Sequence, residues 1–146
     1  MDYFLVADLE VLPPPNKNNE PPNPNKPNTQ KPDGDVLGGA GDFSAVSLSY
    51  TNQKRAETGK GSLTRDPQLD ADCKEQTNLM AEKRQMTHYL YPSKGAGENI
   101  SMGYGSHARA LDGWWNSPGH KANMLRSNYT KYGASETGNW RCQRFK

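Results

Sequence analysis

The sequence predicts an α+β domain in which helices pack on a small antiparallel sheet. Two observations carry that expectation. Apolar residues recur at helical spacing through three successive stretches between Asp42 and Trp114, and a fourth, short helix opens at Ser117. The C-terminal end then reads as an extended segment from Lys131 to Glu136, a turn at Thr137-Gly138-Asn139 and an alternating strand from Trp140 to Phe145.

Residues 1–40 differ in composition from the rest. Eight of the eleven prolines lie between Pro13 and Pro32, mixed with asparagine and lysine, and no large apolar residue occurs from Pro13 to Asp35. Such a segment cannot bury enough surface to offset its conformational entropy, so it is expected to be a disordered, partly polyproline-like tether to a folded domain over residues 41–146. Met1 to Leu12 is mildly apolar, but Asp2, Asp8 and Glu10 interrupt it and no basic stretch precedes it. It is too short to span a membrane and lacks the form of a secretory signal.

The first helix opens at Asp42, with Phe43, Val46 and Tyr50 as its apolar stripe and Asn52, Lys54, Arg55 and Glu57 at its polar positions. Gly59 and Gly61 end it. Leu63-Thr64-Arg65 is an extended link, and Asp66-Pro67 reads as the N-cap and first residue of a second helix. Leu69, Cys73, Gln76 and Met80 recur along that helix to about Lys83, and Gln76 is the one polar member of the stripe. Residues 84–105 keep no period and read as a long functional loop, holding Met86-Thr87-His88-Tyr89, the turn region Tyr91-Pro92-Ser93-Lys94-Gly95 and Gly97-Glu98-Asn99-Ile100. Ser106 caps a third helix through Ala110, Leu111 and Trp114. The Ser117 hydroxyl and Pro118 then start the fourth, which ends near Leu125. His120 falls in its first turn, where the positive end of the helix dipole favours a neutral ring able to bind a metal or accept a proton.

A formal net charge of +2, with acidic and basic residues interspersed, lacks the clustered basic face that nucleic-acid binding needs. Lys121, Arg126, Lys131, Arg141, Arg144 and Lys146 read as a solvated face. Cys73 and Cys142 do not have metal-site spacing and are compatible with either a disulfide or two buried thiols. Neither looks like an activated nucleophile, and no nucleophile elbow or phosphate loop is present.

Three residues are candidates for chemistry: His88, Glu98 and His120. Two imidazoles and a carboxylate from separate elements can ligate a divalent metal with an open position, or serve as acid and base. Structural readings stand beside these, with Gly97-Glu98-Asn99 as a satisfied buried loop and His120 as a hydrogen-bonded histidine. His107, beside the Ser106 cap, is placed on a solvent face without a role. Tyr89, Tyr91, Tyr104, Trp114 and Trp115 are candidates to wall an apolar site.

The series Thr51-Asn52-Gln53-Lys54-Arg55, Leu63 to Leu69, Met80-Ala81, Thr87-His88, Gly97-Glu98-Asn99-Ile100, Trp114 to Leu125, Asn128-Tyr129-Thr130 and Gln143 resembles the CAP superfamily. This group comprises the cysteine-rich secretory proteins, antigen 5 and the plant pathogenesis-related class 1 proteins. The resemblance is to its short bacterial branch and covers about residues 43–146. It implies an α-β-α sandwich with an open cleft, in a protein that is secreted, periplasmic or tethered to the cell surface. It also implies a cleft lined by two histidines and two acids, of which His88, Glu98 and His120 match three. The fourth position, an acid in the family, is Ser117 here. The two-histidine pair that holds zinc in some members corresponds to His88 and His120.

Two functions follow from the resemblance. The first is a non-catalytic binding module whose cleft takes a divalent metal or a small apolar or lipid ligand; a domain with a vestigial cleft whose surface binds an extracellular protein partner stands beside it. The alternative is a metal-assisted hydrolase of peptide or cell-wall amide bonds, with His88 and His120 as ligands and Glu98 as general base. The acid missing at Ser117 favours the first.

Overall fold

A computed structural model describes residues 42–90 and 97–146. The Pro/Asn-rich tether and the turn region from Tyr91 to Gly95 lie outside the described residues. The elements are α1 (Phe43–Glu57), β1 (Thr64–Arg65), α2 (Pro67–Lys83), β2 (Gly97–Met102), α3 (His107–Trp115), α4 (Pro118–Leu125), β3 (Lys131–Thr137) and β4 (Trp140–Phe145).

Capping side chains fix the starts of three helices. The Asp42 carboxylate accepts from the Ser44 and Ala45 amides, Asp66 from Gln68, and the Ser106 hydroxyl from Arg109. Asp42 also takes a two-pronged contact from Arg65, and this, more than the amides, holds its carboxyl below the ordinary carboxylate range. α2 ends at Arg84 in the left-handed conformation, whose amide bonds back to the Met80 carbonyl and reverses the chain.

The sheet has the order β1-β3-β4-β2. β3 and β4 form the expected antiparallel hairpin, with Tyr132 opposite Phe145 and Thr137 opposite Trp140. β2 adds antiparallel to β4, and β1 adds in parallel to β3 through only Thr64 and Arg65. The sheet is thus mixed, an antiparallel core with one short parallel edge. β2 arises from a stretch that reads as loop in the sequence.

Side-chain alternation assigns the two faces. Glu98, Ile100, Cys142 and Arg144 point toward α2, where Cys73, Met80, Ile100 and Cys142 form one apolar cluster. Of the two readings open for the cysteines, the structure shows the bridge: Cys73 on α2 is disulfide-bonded to Cys142 on β4. Tyr132, Ala134 and Phe145 face the other way and join Phe43, Leu111, Trp114 and Met124 in the main core. Helices on both faces make the α-β-α sandwich. α2 lies so close to β3 that a Cβ on Gly133 would run into the Leu69 and Asp70 backbone. From that position Asp70 accepts from the Ala134 amide (3.0 Å) and Lys74 donates to the Glu136 carbonyl (2.8 Å), which closes the β3 edge beyond β1.

Several charged and polar residues lie deeper than the sequence suggests. The buried face of α1 is Phe43, Ser44, Ser47, Thr51 and Arg55, while Val46 and Tyr50 are only half-buried. The reason is a polar layer beneath the helix. The Gln143 amide donates to the Ser47 and Tyr132 hydroxyls at 2.9 Å each, and those two hydroxyls bond to one another. Arg55, placed among the polar positions, is fully buried. It donates to the carbonyls of Gly61 (2.6 Å), Met124 (2.9 Å), Arg126 (3.0 Å) and Tyr129 (3.4 Å), tying α1 to the chain after α4. Burial lowers the pKa of its guanidinium.

Arg141 and Arg144 are buried as well and do not belong to a solvated face. His107 also departs from its expected solvent face. It is buried against the Phe43 ring, centroids 4.9 Å apart, with Nδ1 3.4 Å from Glu136 Oε2, which Arg141 Nε also reaches at 3.3 Å.

Candidate functional site

The two histidines and the glutamate reach their places from different elements. His88 follows the reversal at Arg84 and lies beside β2, where its Nδ1 is 2.7 Å from Glu98 Oε1. Glu98 sits on the α2 side of β2 and is almost wholly buried. Its other oxygen, Oε2, lies 2.9 Å from Arg144 Nε on β4, and Arg144 Nη1 is 3.6 Å from Asp72 Oδ2 on α2. The result is a buried chain of charge running Asp72–Arg144–Glu98–His88. A carboxylate held in an ion pair can only accept a hydrogen bond, so the proton shared with the ring belongs to His88 Nδ1. Nε2 is then the nitrogen through which this ring would take a proton or hold a cation.

His120 occupies the third position of α4 and is buried. Its Nδ1 is 2.8 Å from Ser117 Oγ. Ser117 does stand at the N-cap, but its side chain makes no capping bond to the helix amides; the hydroxyl is turned onto the imidazole instead. This corrects the capping role expected from the Ser-Pro sequence. The ring nitrogen competes with the helix amides for the hydroxyl and takes it. A hydroxyl can donate or accept, so Ser117 anchors the ring without fixing its tautomer as Glu98 does for His88.

The two pairs are linked through β2. This strand is a sheet edge, and its outward carbonyls are satisfied by side chains of the tryptophan and asparagine stretch that follows it in sequence. Trp114 Nε1 donates to the Ile100 carbonyl (3.1 Å) and Asn123 Nδ2 to the Glu98 carbonyl (3.4 Å). Asn99 in turn donates to the His120 carbonyl (3.1 Å) and accepts from Asn123 (2.9 Å). The backbone positions of Glu98 and His120 are therefore tied by one asparagine pair. Gly97, just ahead of Glu98, leaves the space taken by the Tyr129 ring, which a Cβ there would strike.

The donor chemistry fits a divalent cation of the zinc type in one respect. Each imidazole has Nδ1 anchored by a neighbour, which orients the ring and leaves Nε2 to face a metal, as in metal-binding histidines generally. Glu98 belongs to that outer shell, because both of its oxygens are engaged. Among the described residues no group of three His, Cys, Asp or Glu side chains converges as a ligand set, so a cation there would rest on His88 and His120 with its remaining positions open. Of the aromatic candidates, Trp114 is fully buried in the core, and Trp115 is half-buried with Lys121 Nζ 4.3 Å from its ring centroid. Tyr91 lies outside the described residues.

Arg144 and Asp72 were not candidates from sequence, and neither was Gln76, whose amide holds the His88 loop. For Gln76 a signal did exist: it is the single polar residue in an apolar helical stripe.

Comparison with known proteins places this chain in a family. The profile of the CAP family, described as the cysteine-rich secretory protein family, matches residues 48–142. The chain is 30% identical over 114 residues to the uncharacterized protein YkwD of Bacillus subtilis (strain 168), covering 67% of this chain and 44% of that protein. It thus spans less than half the length of this relative. Among solved structures, an extracellular SCP-domain protein of Bacillus anthracis matches with a TM-score of 0.66 at 25% identity, over 70% of this chain and 39% of that one. An outer surface protein of Borrelia burgdorferi matches with a TM-score of 0.61 at 22% identity, over 75% and 98%. A cysteine-rich secretory protein of Staphylococcus aureus matches with a TM-score of 0.62 at 16% identity, over 82% and 40%. No helix among the described residues is long and apolar enough to cross a membrane. With the family profile covering most of its length and bacterial relatives in both sequence and fold, the chain belongs to the CAP superfamily.

Proposed function

We propose that this chain is an exported, non-catalytic CAP domain that binds a ligand at a cleft lined by His88, Glu98, Ser117 and His120, with a divalent cation of the zinc type held between the two imidazoles. The observation that carries this reading is the commitment of Glu98. One oxygen accepts from His88 and the other pairs with Arg144, so the carboxylate orients an imidazole and is not poised to take a proton from water. A hydrolase using Glu98 as general base would need that oxygen released. Export is supported by the buried Cys73–Cys142 bridge, which suits an oxidising compartment, and by the extracellular SCP-domain relative from Bacillus anthracis.

Calorimetric titration of the metal-free protein with zinc tests the site. Wild type is expected to bind one zinc ion, and His120→Ala to bind it at least about tenfold more weakly. Equal affinity in the two proteins would refute the site.

A further inference from the structure

We propose that Gln76 is the positioning residue of His88. It sits in the middle of α2, two turns before the helix ends, and is fully buried in the stripe formed by Leu69, Cys73 and Met80. A buried primary amide in apolar surroundings is costly unless its donor and acceptor find partners. Gln76 finds them entirely in the segment that carries His88. Its Nε2 donates to the Thr87 carbonyl (2.6 Å), and its Oε1 accepts from the amides of Tyr89 (2.9 Å) and Leu90 (3.3 Å).

These contacts lie on both sides of His88. They do for this segment what a strand neighbour would do: they serve the Leu90 amide and brace the turn in which the Tyr89 amide also bonds the Thr87 carbonyl (3.0 Å). The reversal at Arg84 brings the chain back along α2, and the Gln76 amide fixes how far along the helix residues 87–90 rest. That register sets the His88 ring 2.7 Å from Glu98, which is itself fixed by β2 and Arg144. Leucine would suit the apolar stripe at position 76, whereas glutamine adds its three contacts to the loop. The role of Gln76 toward a cation rests on the binding site proposed above; its role in placing the ring does not.

The test compares wild type, Gln76→Leu and Gln76→Glu by three readouts: thermal melting, zinc titration, and the proton NMR signal of the His88 Nδ1–H in metal-free protein. Wild type is expected to show a slowly exchanging ring proton bonded to Glu98. Gln76→Leu is expected to lose that signal and to bind zinc at least about tenfold more weakly, while still unfolding cooperatively at a temperature lowered by the loss of three hydrogen bonds. Gln76→Glu keeps the acceptor for Tyr89 and Leu90 and is expected to retain the ring proton. Should Gln76→Leu not fold, hydrogen exchange in wild type carries the test. A Leu90 amide as protected as those of α2 supports the proposal, and free exchange there overturns it. An unchanged ring proton in folded Gln76→Leu also overturns it. Wild type that binds no zinc but shows the ring proton, lost in Gln76→Leu, refutes the metal site and leaves the positioning role standing.

Discussion

Arg144→Met is expected to lower the folding free energy by about 3–5 kcal/mol, because it strands the buried Glu98 carboxylate without its cation. Asp72 loses its neighbour in the same step, although its Oδ1 still accepts from Gln68. The methionine stem fills most of the volume, so the loss reports charge and not a cavity. Urea denaturation of the two proteins measures it. The double variant Arg144→Met with Glu98→Gln is expected to recover at least about 1 kcal/mol of that loss, since the unpaired charge is then gone. A single variant within about 1 kcal/mol of wild type would show that the ion pair contributes little net stability, the usual result for exposed pairs and not for buried ones.

Loss of the disulfide is expected to cost about 4 kcal/mol, the chain-entropy value for a crosslink of this span, 69 residues apart. Cys73→Ala with Cys142→Ala removes the bridge at small change in volume, and denaturation with and without a reductant measures the effect on wild type directly. Both half-cystines are fully buried, so reduction of the native protein should be slow and should speed up with denaturant. The bridge matters for the site because it joins α2, which carries Gln76 and Asp72, to β4, which carries Arg144. A reduced protein of unchanged stability would contradict this assignment.

Much of the fold was legible in the sequence, and the parts that were not share a cause. Helix starts at Asp42, Asp66 and Ser106 could be read because a capping side chain acts on amides two or three residues away. The β3–β4 hairpin could be read from its turn, where Gly138 takes a positive φ of 56°. β2 could not. It is an edge strand with buried Asn99 and Ser101 on one face and Glu98 and Ile100 on the other, so its polarity does not alternate, and its outer carbonyls are served by Trp114 and Asn123.

Arg55 and Arg144 were misread for a related reason. A charged residue looks solvated unless its partners are known, and theirs lie as far as 74 and 72 residues away in sequence, at Tyr129 for Arg55 (129 − 55) and at Asp72 for Arg144 (144 − 72). The three candidate site residues could be picked out by residue type, and the family resemblance assigned them to one cleft. The structure adds their pairing: His88 with Glu98, and His120 with a Ser117 hydroxyl that local chemistry alone would give to the helix. Gln76 was visible as an anomaly whose purpose needed the folded loop to explain it.

The proposed site requires that both imidazoles be anchored at Nδ1 and hold the cation through Nε2. Long-range proton–nitrogen correlation spectra of the histidine rings, recorded without and with zinc, test this directly. The His88 ring is expected to be protonated at Nδ1 in the metal-free protein, and zinc to shift Nε2 of both His88 and His120 with His107 unchanged. A His88 proton on Nε2, or zinc that leaves both rings unperturbed, would contradict it.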